Sequence, residues 1–180
     1  NAELASLMVG RSVELSVRKG EPQLTGGVLR VRDLTVHDSA GAVLVDALNF
    51  DVRGGEVLAI AGVQGNGQTQ LTEALLGLQK RVTGSIELDG RELLGLSVRK
   101  ILDSGVGFVP EDRNVDGLVA EFSIAENLML DRSSGPPFVK GANLQLAFRD
   151  TFAEEKVRQF DVRSQGIATR VGRLSGGNQQ

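Results

Sequence analysis

Apolar and polar residues alternate along VLRVRDLTV, residues 28–36, and again along AVLVDALNFDV, residues 42–52. A period of two sends neighbouring side chains to opposite faces, so both stretches predict half-buried strands. The turn-like HDSAG between them closes an antiparallel pair. EVLAIAG, residues 56–62, is a continuous apolar run with β-branched residues and predicts a buried central strand. Leu71, Leu75, Leu76 and Leu78 keep helical spacing in QTQLTEALLGL, with Gly77 near the end. GSIELDG predicts a short strand and turn, SVRKILDSG a helix closed by Gly105, and VGFVPED a second buried strand halted by Pro110. SIAENLML predicts a short helix in which Ser123 and Glu126 form a capping-box pattern. RSSGPPFVKGAN reads as loop. The stretch from Leu144 to Val162 predicts a helix with Leu144, Phe148, Phe152, Val157 and Phe160 on one face. This order gives an α/β core carrying a helical insertion. Residues 3–27 end in linker composition and read as a lead-in.

Composition narrows the chemistry. The 180 residues are 41% hydrophobic and 24% charged, as in an ordinary globular domain. A net charge of −3 leaves no basic footprint for nucleic acid. With no cysteine and one histidine, His37, a thiolate site or a histidine metal site is not expected. No apolar run approaches the ~20 residues of a membrane helix.

The sharpest local pattern is GVQGNGQTQ, residues 62–70. Gly62, four residues, Gly67, Gln68 and Thr69 match the phosphate-binding loop G-x-x-x-x-G-K-[ST] except at the lysine, which is Gln68. Glycines let the backbone curl so that N–H groups point inward, and the following helix adds its free donors and partial positive charge. Gly65, Asn66 and Gln70 complete the loop, and Thr69 is the candidate Mg²⁺ ligand. Gln68 removes a full charge but keeps a donor. A charged hydrogen bond contributes ~1.5–3 kcal/mol and a neutral one ~0.5–1.5, so binding weakens by roughly ten- to thirty-fold. A ligand-free strand-to-helix turn and a dinucleotide fingerprint, with Gln70 at its third glycine, are the other readings of the same residues.

The chain closes on RLSGGNQQ. LSGGNQQ resembles the signature sequence of ATP-binding cassette ATPases, and the resemblance runs from about Val28 to Gln180. GSIELDG resembles the strand and turn after that family's phosphate loop, VGFVPEDR its Q-loop with Glu111 at the glutamine position, and FSIAENLML part of its helical subdomain. The lysine-deficient loop, PEDR followed by DGLV, and LSGGNQQ together resemble the second cassette of tandem importers for simple sugars or nucleosides. GVQGNGQT is most similar to the nucleoside branch linked to basic membrane lipoproteins.

The resemblance implies a P-loop NTPase core with an antiparallel β subdomain and a helical subdomain at about 113–173, cut off at its C-terminal side. Residues 1–27 would be the lead-in from a preceding cassette and residues 28–180 a partial nucleotide-binding domain. ATP and Mg²⁺ are the implied cofactors. Gly62, Gly65, Asn66, Gly67, Gln68, Thr69 and Gln70 would hold phosphates, with Thr69 at the metal. Ser175, Gly176 and Gly177 would reach the γ-phosphate held by a partner cassette. Glu111 would stand near Mg²⁺ or the attacking water, and His37 near the adenine. The family's Walker B aspartate, catalytic glutamate and switch histidine fall beyond Gln180, so this stretch by itself is expected not to hydrolyse ATP. The implied partners are a first cassette, membrane permease subunits and, indirectly, an external solute-binding protein, on the cytoplasmic face of a bacterial plasma membrane. The alternatives are a cassette that only lends its signature to the partner, or a cassette ATPase of translation or DNA repair.

Overall fold

The computed structural model describes Gly20 and residues 23–179. The expected lead-in therefore falls mostly outside the described residues. The described residues divide into two compact units, one up to Val106 and one from Gly107.

The first unit is built on a four-stranded antiparallel sheet of order β2-β1-β3-β4, from β1 (Thr25–His37), β2 (Val43–Gly54), β3 (Val82–Leu88) and β4 (Arg91–Glu92). The hairpin read from alternation is present, with one difference. Val31, Leu34 and Val36 are all fully buried, which strict alternation forbids for positions three apart. An irregularity between Arg32 and Thr35 resets the faces, with Asp33 at φ 47°. Side chains stitch it: the Asp33 N–H donates to Asn49 Oδ1 at 3.0 Å, Asn49 Nδ2 donates to Asp33 Oδ1 at 3.0 Å, and the Ala47 N–H donates to Thr35 Oγ1 at 3.1 Å. The two-residue turn Asp89-Gly90 joins β3 to β4. Helices α1 (Gln68–Leu75) and α2 (Val98–Asp103) contribute Leu71, Ala74 and Ile101 to a core shared with Ile86 and Leu93. Of the four leucines on the expected helix face, Leu78 is exposed.

Two predicted central strands do not form. Residues 56–62 and 106–110 pair with no strand among the described residues, and Val57 is 93% and Val109 81% exposed. Apolar β-branched composition marks where a strand can bury itself, but a strand exists only when a neighbouring ladder accepts its N–H and C=O groups.

Glu92 closes the β3–β4 edge. Its carboxylate accepts from Ser85 Oγ at 2.6 Å, from the Ile86 N–H at 3.0 Å and from the Leu94 N–H at 2.9 Å. Partial burial pushes this carboxyl upward, but the Ser85 hydroxyl and the backbone donors outweigh it and hold it below the ordinary carboxylate range. A depressed folded-state value contributes stability that is present above the unfolded value and is lost as pH falls through the folded one. Acid titration of the first unit is therefore expected to show a loss of stability below about pH 4.3. In Glu92→Gln this acid-dependent component should be absent, and denaturant unfolding across that window checks it.

In the second unit, a π-helical turn (Arg113–Gly117) precedes α3 (Ile124–Asn127). The predicted capping box is complete: Ser123 Oγ accepts from the Glu126 N–H at 3.2 Å, and Glu126 Oε2 accepts from the Ser123 N–H at 2.8 Å. Asn127 braces the preceding loop, donating to the carbonyls of Val119, Phe122 and Ser123 while its oxygen accepts from the Val119 N–H. The expected loop at 132–143 contains part of a small hairpin, β5 (Val139–Lys140) and β6 (Asn143–Leu144), followed by α4 (Leu146–Gln159). Leu144 thus belongs to β6, and Phe148 and Phe160 remain exposed. The buried hub is Phe138, packed edge-on against Phe148 and Phe152 at 5.1 and 5.2 Å. Ala153 of α4 is fully buried, and α5 (Gly176–Gln179) follows a short 3₁₀ turn at Val171–Arg173. Among the described residues no helix is long and apolar enough to cross a membrane.

Candidate functional site

The glycine loop lies in the first unit, immediately before α1. Gly67 is the N-cap residue at φ 91° and ψ 3°, and it is buried against β2. A Cβ placed there would lie 2.5 Å from the Leu44 carbonyl oxygen. The sequence needs glycine here both for the left-handed turn and for the close backbone approach. The Asn66 N–H donates to the Val63 carbonyl at 3.1 Å. Among the described residues, the N–H groups of Gly65 and Gly67 have no partner, and those of Gln68, Thr69 and Gln70 are the unpaired first-turn donors of α1. Five backbone donors thus remain available beside a helix N-terminus, a local chemistry suited to an oxyanion.

Gln68 folds back over the loop. Its Nε2 donates to the Val63 carbonyl at 3.4 Å and occupies the space a side chain on Gly62 would need. That contact is long and weak, so the amide is easily released to another acceptor. Thr69 is exposed with its hydroxyl unpaired, whereas the hydroxyl of Thr72 is committed to the Gln68 carbonyl at 2.9 Å. No group of three or more acidic or histidine residues is placed to hold a metal among the described residues. A cation here would draw one ligand from Thr69 and the rest from phosphate and water. This fits Mg²⁺, which keeps several waters and binds through few protein groups.

The remaining candidates are placed as follows. His37 ends β1, half-buried, with its N–H donating to the Arg81 carbonyl at 2.9 Å. Glu111 is exposed in a bend one residue before Asp112, whose carboxylate caps the next turn by accepting from the Asn114 N–H at 2.9 Å. Ser175, Gly176 and Gly177 open α5 in the second unit. Ser175 Oγ accepts from Asn178 Nδ2 at 3.0 Å, which leaves the hydroxyl hydrogen free to donate outward. Asn178 was not singled out by sequence reasoning. Its Oδ1 also accepts from the Arg163 N–H at 3.0 Å, so it ties the 163 region to Ser175. Its position three residues after Ser175, one helical turn on, was the available signal. Gln179 adds a second clamp, accepting from Arg113 Nε at 3.2 Å and donating to the Val171 carbonyl at 2.9 Å.

With this geometry in hand, three comparisons bear on the chain. The sequence profile of the ABC transporter family matches residues 45–180. The chain is 44% identical over 180 residues to the nucleoside import ATP-binding protein NupA of Lactococcus lactis subsp. cremoris, covering 100% of this chain and 36% of that protein. It is 39% identical over 186 residues to the glucose import ATP-binding protein TsgD13 of Haloferax volcanii, covering 99% of this chain and 33% of that protein. It therefore spans about a third of the length of these curated relatives. Its fold is similar, with a TM-score of 0.65 and 20% identity, to the dimeric post-hydrolysis state of the ATP-binding cassette MJ0796 bound to ADP and Pi, covering 84% of this chain and 65% of that one. The fold class read from the sequence, that of a P-loop NTPase cassette, is the one found. The chain belongs to the ABC transporter family, as a segment of its ATP-binding cassette.

Proposed function

We propose that this chain is part of the ATP-binding subunit of an importer for nucleosides or simple sugars and forms the second of two cassettes in its parent protein. The observation that carries the reading is the Gly62–Gln70 bend, where five unpaired backbone donors and a free Thr69 hydroxyl gather at the start of α1. The names of NupA and TsgD13, which are import ATP-binding proteins, support the transport role.

In this reading the N–H groups of Gly65, Gly67, Gln68, Thr69 and Gln70 bind the phosphates of ATP, with Gly62 and Asn66 shaping the bend. Gln68 turns from the Val63 carbonyl and donates its amide to a phosphate oxygen, and Thr69 offers its hydroxyl to Mg²⁺. Mg²⁺, when bound, neutralises charge on the phosphate oxygens. By the resemblance, His37 would meet the adenine and Glu111 would act at Mg²⁺ or the attacking water. Ser175 donates its free hydroxyl hydrogen, with the N–H groups of Gly176 and Gly177, to the γ-phosphate held by the other cassette. Residues 1–27 serve as the lead-in, residues 28–180 as the cassette, and residues 113–173 as its helical part. That part faces the permease subunits at the cytoplasmic side of the bacterial plasma membrane, with an external binding protein delivering solute and no role for nucleic acid.

The test is an ATP titration of the full-length protein with its first cassette disabled. Because Gln68 supplies a neutral donor where a cation is worth more, Gln68→Lys is expected to tighten MgATP binding by roughly ten- to thirty-fold. If neither form binds MgATP, the loop is no nucleotide site and the cassette only lends its signature.

A further inference from the structure

Asn66 and Gly67 form the one Asn-Gly step in the sequence, and it falls inside the glycine loop. The amide carbon of an asparagine can reach the nitrogen of the next peptide bond and close a cyclic imide. A following side chain obstructs that approach, and glycine leaves it open because it has no Cβ. The six other asparagines precede Ala, Phe, Val, Leu, Leu and Gln. Asn49, Asn127 and Asn178 are also held, each using both amide atoms in hydrogen bonds. Asn66 differs: it is exposed, and among the described residues its side chain makes no hydrogen bond. The Gly67 N–H, the group that must lose its proton, has no partner among the described residues either. It stands at the start of α1, whose partial positive charge favours an anionic nitrogen and a nearby oxyanion. The loop is open to solvent from Val63 to Asn66, and a Cβ built on Gly65 would meet nothing within 4 Å.

We infer that Asn66 is a self-modification site: it deamidates through a cyclic imide with Gly67 and leaves a carboxylate in the glycine loop. The Gly67 nitrogen gives its proton to hydroxide and bonds to the side-chain amide carbon of Asn66. The bond from that carbon to the side-chain nitrogen breaks, and the nitrogen leaves as ammonia with a proton from water. Water then opens the imide. Opening at the side-chain carbonyl gives aspartate, and opening at the main-chain carbonyl gives isoaspartate. The net reaction consumes water and releases ammonia, with no change of oxidation state. Either product sets a negative charge among donors suited to an anion, so it competes for them from within the chain and repels a phosphate. Isoaspartate also adds a methylene to the main chain just before Gly67, where the backbone already packs closely on the Leu44 carbonyl. The effect on ATP rests on the nucleotide reading proposed above; the modification itself does not.

The test incubates the full-length protein, with its first cassette disabled, at mildly acidic and mildly alkaline pH. Peptide mass mapping reads amide-to-acid conversion at each asparagine, and enzymatic methylation reads isoaspartate. Conversion is expected at Asn66 ahead of the other asparagines in this sequence. It should be faster at the alkaline pH, because attack needs the Gly67 nitrogen deprotonated. Asn66→Ser should give no isoaspartate in the peptide that spans the loop. Conversion in the native protein should keep pace with that in denaturant, since no opening of the loop has to precede attack. A native rate that lags the denatured rate, or earlier conversion at another of these asparagines, would overturn the inference. Saturating MgATP should slow native conversion, because a phosphate then occupies the Gly67 N–H. Asn66→Asp, which reproduces one product, should weaken MgATP binding about tenfold or more. Native conversion at Asn66 that MgATP leaves unchanged would uphold the modification and count against the nucleotide reading of the loop.

Discussion

Replacing Gly67 with alanine is expected to destabilise the first unit by about 2–6 kcal/mol and to weaken ATP binding about a hundredfold. Two costs add. An L-residue at φ 91° sits in backbone that only glycine adopts freely, a strain of about 1–3 kcal/mol. The new Cβ would also stand 2.5 Å from the Leu44 carbonyl oxygen, which belongs to β2 and cannot swing aside as a flexible side chain would. Overpacking of this kind costs about 1–3 kcal/mol. Relief requires the loop to lift from the strand, which turns the Gly67 and Gln68 N–H groups out of register with the other donors. Losing two hydrogen bonds to a charged phosphate removes about 3 kcal/mol or more, hence the hundredfold. Gly65→Ala supplies the contrast: it has φ 91° but nothing within 4 Å of its Cβ, so it should show the conformational cost alone. Equal losses for the two variants, by denaturant unfolding and ATP titration, would show that contact with β2 is not what fixes the loop.

What was legible in the sequence was what neighbours in sequence decide. The loop and α1, the Ser123–Glu126 capping box and the Asp89-Gly90 turn each depend on fewer than ten consecutive residues, and each is present. The hairpin was legible as alternation, but its register was not. The break at Asp33 is secured by Asn49, sixteen residues away, and no local pattern announces that partnership. The two central strands failed for the same reason in stronger form. Hydrophobicity in residues 56–62 and 106–110 states a preference for burial, while pairing depends on other segments of chain. At the candidate site, Gly62–Gln70 and Ser175–Gly177 were readable because glycine and serine spacing encodes backbone shape.

Phe138 illustrates how a decisive residue hides in loop composition. It follows a Gly-Pro-Pro run that reads as a connector, yet it is 2% exposed and sits between Phe148 and Phe152 of α4. Both ring pairs are edge-on, with interplanar angles of 85° and 86°, the arrangement that sets a positive ring edge on a negative face. Arg132 and Lys156 in turn approach the Phe152 ring at 5.5 and 5.4 Å. Ala153 is the one buried residue of α4 itself, and Phe138 is the largest fully buried side chain, so this ring is a main contributor to the helix's seat in the second unit. Phe138→Ala is therefore expected to destabilise the second unit by about 3–5 kcal/mol, the range for a buried phenylalanine that leaves a cavity. Phe138→Leu should recover much of that loss, because it refills volume while giving up the two edge contacts at about 0.5–1.5 kcal/mol each. Hydrogen exchange resolved by unit makes the measurement selective: α4 amides should lose protection in Phe138→Ala while those of β1 and β3 keep theirs. A loss below about 1 kcal/mol would mean that Phe148 and Phe152 close over the vacated space and that α4 is anchored elsewhere.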